Sequence, residues 1–316
     1  MIPYGKQQIT DEDINSVIKV LKSDYLTQGP NILDFELKFS KYVGSDYAVA
    51  VSNGTAALHL CNLALELKPD DNVITTPITF SATPNSARYC GANIVFCDIN
   101  YESYLIDLDC IERILQNDTQ KKIKGIIPVN FAGRVVNLEK LKIIADKYKV
   151  WIVEDSCHSP GGFFIDSNGV KQNSGNGNFA DLSIFSFHPV KHIATGEGGM
   201  ITTNNKLLYN RLIELRTHGI TKESGSFKNS ISIASGLKNL SNDKYPAWYM
   251  EMHNLGYNYR LSDISAALGT SQLERAELNL NKRKKIAKKY YESFKNFDKV
   301  INQSGFIEGH AYHLYV

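Results

Sequence analysis

The run FSFHPVKHIATGEGGM, Phe185 to Met200, sets one lysine among two histidines, a proline and three glycines, directly after a β-branched and aromatic stretch. A solvated surface lysine needs no such setting. An amine that must form a covalent bond does, because a strand end gives it a rigid base and bare backbone in front lets a ligand approach. Three other stretches carry complementary chemistry. SNGT, Ser52 to Thr55, runs into an apolar helical pattern, so its free N–H groups and the positive helix end face a common point as a phosphate cup. The same residues also suit a plain N-cap. Asp155 ends the apolar run WIV, where a charge is costly without a cationic partner or a hydrogen-bond network, or caps nearby backbone. His158 reads equally as a ligand contact or a satisfied loop histidine. Phe80, after TTPIT, offers a ring to stack on a planar ligand or to pack in the core.

The elements that must hold these residues alternate along the chain. Helices are expected near Asp11 to Ser23 and Asn31 to Val43, and then strand YAVAVS, helix TAALHLCNLALEL, strand NVITTP and helix SATPNSARYC. Strand NIVFCDI, a helix near Leu108 to Gln116, strand IKGIIPVNF, helix NLEKLKIIADKY and strand VWIVED follow. This is the pattern of an α/β fold with a mainly parallel sheet covered by helices on both faces. Ligands of such sheets sit beyond the carboxyl ends of the strands, where SNGT, Phe80, Asp155 and the lysine all fall. Ser224 to Trp248, rich in Ser, Asn, Gly and Lys, reads as a long loop. Beyond it lies a long helix with Ile286, Tyr290 and Phe294 spaced by four, whose basic run NKRKKIAKK reads as a solvated face. His188 and His192 are assigned to structural packing, and the glycines of GEGG to close backbone approach, with Glu197 hydrogen-bonding there.

Length and composition bound the rest. With 316 residues, 43% of them apolar, the chain can build one large domain and part of a second. A net charge of +2 from 35 basic and 33 acidic residues leaves no nucleic-acid footprint. No basic region followed by an apolar h-region opens the sequence, and no stretch has the length of a membrane span, so a cytoplasmic location is expected. Cys61, Cys90, Cys97, Cys110 and Cys157 lack CxxC spacing and read as buried thiols, with no metal site.

Taken together, a phosphate cup, a strand-end aspartate, an aromatic ring and a lysine before GEGG describe a pyridoxal 5′-phosphate (PLP) site. Over Ile2 to Val316 the sequence resembles the DegT-type nucleotide-sugar aminotransferases, a branch of the PLP enzymes of fold type I. The resemblance implies an aspartate-aminotransferase-like fold, with a mainly parallel seven-stranded sheet between helices and a partial C-terminal small domain. Residues 1–255 would form the PLP-binding large domain, with 1–30 near the substrate, and 256–316 an interface segment, the long helix and the start of the small domain. Lys191 would bind the cofactor as a Schiff base and shuttle the proton, and Asp155 would pair with the pyridine nitrogen. Phe80 would stack on the ring, His158 would lie beside the phenolic oxygen, and Gly54, Thr55 and Ser186 would hold the phosphate. Asn258 from a partner subunit would complete that phosphate site, making a homodimer with shared active sites.

FSFHPVKHIATGEGG, EDSCHSPGG and PYGKQQI…DYLTQGP resemble the branch of the family that serves pseudaminic acid biosynthesis. The substrates implied are a UDP-linked 4-keto-6-deoxy-N-acetylhexosamine and L-glutamate. Tyr4, Tyr25, Leu26, Thr27 and Gln28 would then line the sugar pocket, with Arg260 reaching it from the partner; read alone, DYLTQGP is equally a helix stop and turn. Another ketosugar aminotransferase and a non-catalytic PLP-binding regulator are the alternatives, while a dehydratase of the same family would carry histidine in place of Lys191. Relatives continue beyond AYHLYV, which reads like the middle of a small-domain strand, so the chain looks truncated.

Overall fold

The computed structural model describes residues 5–236, 244–297, 299 and 305–316. Its first half runs α1 (Asp11–Leu21), α2 (Pro30–Val43), β1 (Tyr47–Val51), α3 (Gly54–Ala64), β2 (Asn72–Thr75), α4 (Ala82–Tyr89) and β3 (Asn93–Phe96). Next come α5 (Leu108–Asn117), β4 (Ile123–Ile127), α6 (Leu138–Tyr148) and β5 (Trp151–Asp155). A hairpin of β6 (Phe163–Ile165) and β7 (Lys171–Asn173) then leads to β8 (Leu182–Ser186), β9 (Gly199–Thr203) and α7 (Lys206–Arg216). The short β10 (Ile220–Thr221), α8 (Ile231–Ser235) and β11 (Glu251–Met252) precede α9 (Asp263–Glu274) and α10 (Ala276–Phe294). Side chains that compete for backbone N–H groups start the helices: Asn53 caps α3, Asp107 α5, Asn137 α6, Asn205 α7 and Ser262 α9. Pro84 is tolerated in α4 because it stands in the first turn, where an N–H has no helical acceptor.

Seven strands form one sheet in the order β1-β9-β8-β5-β4-β2-β3. All neighbours are parallel except β9, which runs antiparallel to both β1 and β8. The period of two along each strand sorts residues between faces. Val49, Val51, Val73, Ile127, Val153, Leu182, Ile184 and Ile201 meet the helices α3, α4 and α7. Ile74, Ile126 and Ile152 turn to the other face, into the core of α5 and α6, while Ala48, Ala50, Phe185 and Met200 pack with Phe35 and Phe39 of α2. Helix α3 is buried along most of its length, as its nearly continuous apolar sequence requires.

One expectation needs correction, and two features go beyond the sequence pattern. Strand β9 was not anticipated, and residues 311–316 form no strand. Ala311 and Leu314 instead donate their N–H groups to the carbonyls of Gly133 and Ala132. In α10 the buried positions are Ala276, Leu280 and Ala287, while Ile286 and Tyr290 face outward. Of the five cysteines, all free, Cys61 and Cys97 are buried and the other three half-buried.

Candidate active site

Strand pairing ends at Ser186, and the turn that follows presents the lysine. Pro189 has no N–H to continue a ladder, and Lys191 N donates to His188 O at 2.8 Å. The loop is closed at its base by Phe187 N to Gly198 O, 2.8 Å, and Thr195 N to Phe187 O, 2.9 Å. Because 188–192 is a turn rather than a strand, His188 is left exposed and only His192 packs as expected, with its ring 5.6 Å from that of His313. The Glu197 side chain is exposed, and it is its carbonyl that accepts from Thr195 Oγ1 at 2.7 Å. Gly199 shows why GEGG ends on a residue without a side chain. A Cβ there would stand 2.7 Å from the Asn53 carbonyl and 3.0 Å from Gly54 N, so the lysine loop and SNGT are pressed together backbone to backbone.

SNGT supplies the N-cap of α3. Asn53 Oδ1 accepts Ala56 N at 2.8 Å, which spends one of the first-turn donors of α3. Gly54 opens the helix against Ser186 and Cys157, whose Cβ and Sγ would lie 3.0 and 3.5 Å from an added Cβ. Gly54 and Ser186 thus adjoin, with half-buried Thr55 next in the chain.

Asp155 ends β5 on the same face as α3 and α4, and is 5% exposed. Thr83 of α4 donates to its Oδ2 at 2.8 Å and Cys157 N to its Oδ1 at 3.2 Å. Among the described residues no lysine, arginine or histidine pairs with it. An ionised carboxylate has about four acceptor sites, so half of its capacity is left for a cationic donor. Thr83 was not singled out in the sequence; a threonine in a helical pattern gives no sign that its hydroxyl ends on a strand 72 positions away. Phe80 lies one turn before it, its carbonyl accepting Thr83 N at 3.1 Å, and its ring is 74% exposed, which removes the core-packing reading.

Charge is managed tightly here. Burial, then the neighbouring Asp155 carboxylate, pushes the Cys157 thiol well up, so it stays neutral. Burial, with the Lys191 amine beside it, pushes His158 down to about 3, so the imidazole is neutral at physiological pH. Its Nδ1 is sealed from solvent without a partner.

The remaining predicted residues lie at the margins. Tyr25, Leu26, Thr27 and Gln28 are exposed, in a turn anchored by Thr27 pairing with Ser262 and by Gly29 N donating to Asp263 Oδ2 at 2.7 Å. Gly5 lies against Val190, with an added Cβ 3.1 Å from Cγ1, which brings the N-terminal segment to the residue before Lys191; Tyr4 falls outside the described residues. Asn258 and Arg260 do not cap α9, since Ser262 does. Their backbones pair with Thr217 and Val51, beside Ser52, and the Asn258 side chain is exposed.

An amine on a turn, a cup of small residues and a buried carboxylate with spare acceptor sites fit the aldehyde, phosphate and pyridinium of PLP. Comparison with known proteins agrees. Residues 7–316 match the model of the DegT/DnrJ/EryC1/StrS aminotransferase family. Protein MJ1066 of Methanocaldococcus jannaschii is 38% identical over 99% of this chain and 75% of its own length. A UDP-4-amino-4,6-dideoxy-N-acetyl-beta-L-altrosamine transaminase of Campylobacter jejuni is 37% identical over 93% of this chain and 70% of its own. Among solved structures, the putative sugar aminotransferase Spr1654 of Streptococcus pneumoniae in its PMP form superposes with a TM-score of 0.84 at 28% identity, covering 100% of this chain and 78% of that one. With a family match over nearly its whole length and the geometry of a PLP site at its strand ends, the chain belongs to the DegT/DnrJ/EryC1/StrS aminotransferase family, PLP-dependent enzymes of fold type I.

Proposed function

We propose that the protein transfers an amino group from L-glutamate to C4 of a UDP-linked 4-keto-6-deoxy-N-acetylhexosamine, as in pseudaminic acid biosynthesis. The observation that carries the chemistry is Asp155, a buried carboxylate with two neutral donors and room for a cationic third. The C. jejuni transaminase supports the choice of sugar.

Bound PLP supplies the electron sink that makes amino-group transfer possible. Lys191 Nζ provides the covalent attachment and moves the proton at the substrate carbon that gains or loses nitrogen. Asp155 would hold the pyridine nitrogen of bound PLP in its protonated form, Phe80 would cover the ring, and neutral His158 would lie beside the phenolic oxygen. Gly54, Thr55 and Ser186 would seat its phosphate with α3's free N–H groups. Tyr4 and Tyr25 to Gln28 face the sugar nucleotide, which the approach of Gly5 to Val190 supports. Asn258 and Arg260 act across a two-fold homodimer in the cytoplasm, each completing the partner's site.

The test is incubation with glutamate and a panel of UDP- and dTDP-linked 4-keto sugars, with products identified by mass and NMR. Amination at C4 of the UDP-linked N-acetyl sugar is expected, and borohydride should fix PLP on the peptide carrying Lys191. Amination of a dTDP sugar alone overturns the substrate assignment, and absence of even the half-reaction with glutamate overturns the activity.

A further inference from the structure

Three imidazoles stand in a row beside Lys191. His158 and His313 stack at 4.3 Å between centroids with 28° between planes, and His192 lies 5.6 Å from His313. His158 Nδ1, His313 Nδ1 and His192 Nε2 are all sealed without a partner, and the rings form no metal-ligating set among the described residues. Burial first, then the cations Lys191 and Arg283 and the other histidines of the row, holds His192 and His313 well below the usual imidazole range.

The chain spends many contacts to bring His313 there. Ordering backbone without a ladder costs conformational entropy, so a segment such as 305–314 stays in place only where something holds it. Ala311 N and Leu314 N donate to Gly133 O and Ala132 O at 2.8 and 3.1 Å, and Arg283 Nη1 donates to the carbonyls of Tyr312 and His313 at 3.4 and 3.3 Å. Tyr312 stacks on His310 at 4.1 Å, and its hydroxyl accepts Ile307 N at 2.8 Å. Gly133 has no side chain where a Cβ would meet His158 O at 2.8 Å and Tyr312 N at 2.9 Å, so the segment and the His158 backbone close over the same spot.

No hydrogen bond within the described residues orients the His158 ring; its faces do, with Phe131 at 6.5 Å and His313 at 4.3 Å. A sealed Nδ1 is cheaper as a bare lone pair than as an unmatched N–H, since orphaned buried donors are rare. That leaves the proton on Nε2, free to donate to a ligand.

We propose that His313 is a positioning residue for His158: by stacking, it fixes the plane and the Nε2–H tautomer of the imidazole that faces the cofactor. The proposal rests on the aminotransferase reading above.

Two measurements on the full chain test it. In the cofactor-free protein, 15N-histidine NMR should report the Nε2–H tautomer at His158, giving way to a tautomer mixture in His313→Ala. In a spectroscopic titration with PLP, His313→Ala should weaken binding about three- to tenfold, the range of one aromatic stack. His313→Phe, which keeps a ring face, should restore binding to within about twofold, and in a His158→Ala background His313→Ala should cost almost nothing further. Equal losses with and without His158, no rescue by phenylalanine, or an unchanged tautomer would overturn the proposal. If the wild type binds no PLP, the aminotransferase reading falls and the proposal with it; if it binds and the couplings are absent, the proposal falls alone.

Discussion

On one face of β5 Glu154 receives four donors: Asn130 Nδ2 at 2.7 Å, Ser174 Oγ at 3.1 Å, Gly175 N at 2.9 Å and Ser183 Oγ at 2.7 Å. One residue on, facing the opposite way, Asp155 receives two. Both carboxylates are buried in the same strand, so burial does not separate them. Saturation does: Glu154 is filled by its own chain and ties β5, β8 and the turn at Gly175 together, whereas Asp155 is left with acceptor sites unspent. A buried carboxylate kept short of donors marks a place for a cationic ligand.

Exchanging each carboxylate for its amide separates the two sides most sharply. For Asp155→Asn the half-reaction with glutamate should fall about 10²–10³-fold, because the amide cannot hold the pyridine nitrogen protonated. The melting temperature of the cofactor-free protein should stay level or rise, since an unpaired buried charge is gone. Near-normal turnover would make Asp155 structural and erase the contrast. Glu154→Gln should do the reverse, keeping the half-reaction while costing about 3 kcal/mol in denaturant unfolding. Each carboxylate oxygen receives an N–H, from Asn130 on Oε1 and Gly175 on Oε2, so the amide nitrogen faces a donor whichever way it flips. Undiminished stability would show that saturation there is incidental.

A milder test uses a third carboxylate, Asp13, filled by Arg275, Ser271, Gln272 and Thr10 N. Burial alone would raise its pKa, but the hydrogen bonds from Arg275, Ser271 and Thr10 win and hold it at about 2, below the ordinary 3.8. The folded state therefore binds this proton less readily than the unfolded state. The stabilisation is fully present above about pH 5 and is lost as the pH falls towards 2, amounting to about 2 kcal/mol. Acid unfolding curves of Asp13→Asn should lack that component, and a curve parallel to the wild type would remove Asp13 from the saturated class.

Much of this was legible in the sequence because it is local. Alternating periods gave the parallel strands and their helices, and the residue types drew attention to Lys191, Asp155 and SNGT, which the fold does place at strand ends. What escaped depends on contacts distant in sequence. GMITT follows a glycine-rich loop with no helix before it, so its place between β1 and β8 rests on pairings that a linear pattern does not carry. Thr83 and His313 look like ordinary helix and segment residues until the fold brings them to Asp155 and His158. Phe80 was ambiguous because an aromatic at a strand end has two fates, and only its exposure chooses between them.

The insertion of β9 also governs how the protein is made. Strand β1, residues 47–51, is translated early, yet among the described residues the strand it pairs with is residues 199–203. During synthesis the apolar run YAVAV is an unpaired edge for the time it takes to add about 150 residues, some 10–30 s at ordinary elongation rates. The SNGT cup and the lysine loop come together only when that late strand slots in. Nascent chains that stop short of Thr203 hold an aggregation-prone strand and no assembled site, which makes this stretch of translation the one where a chaperone has most to protect.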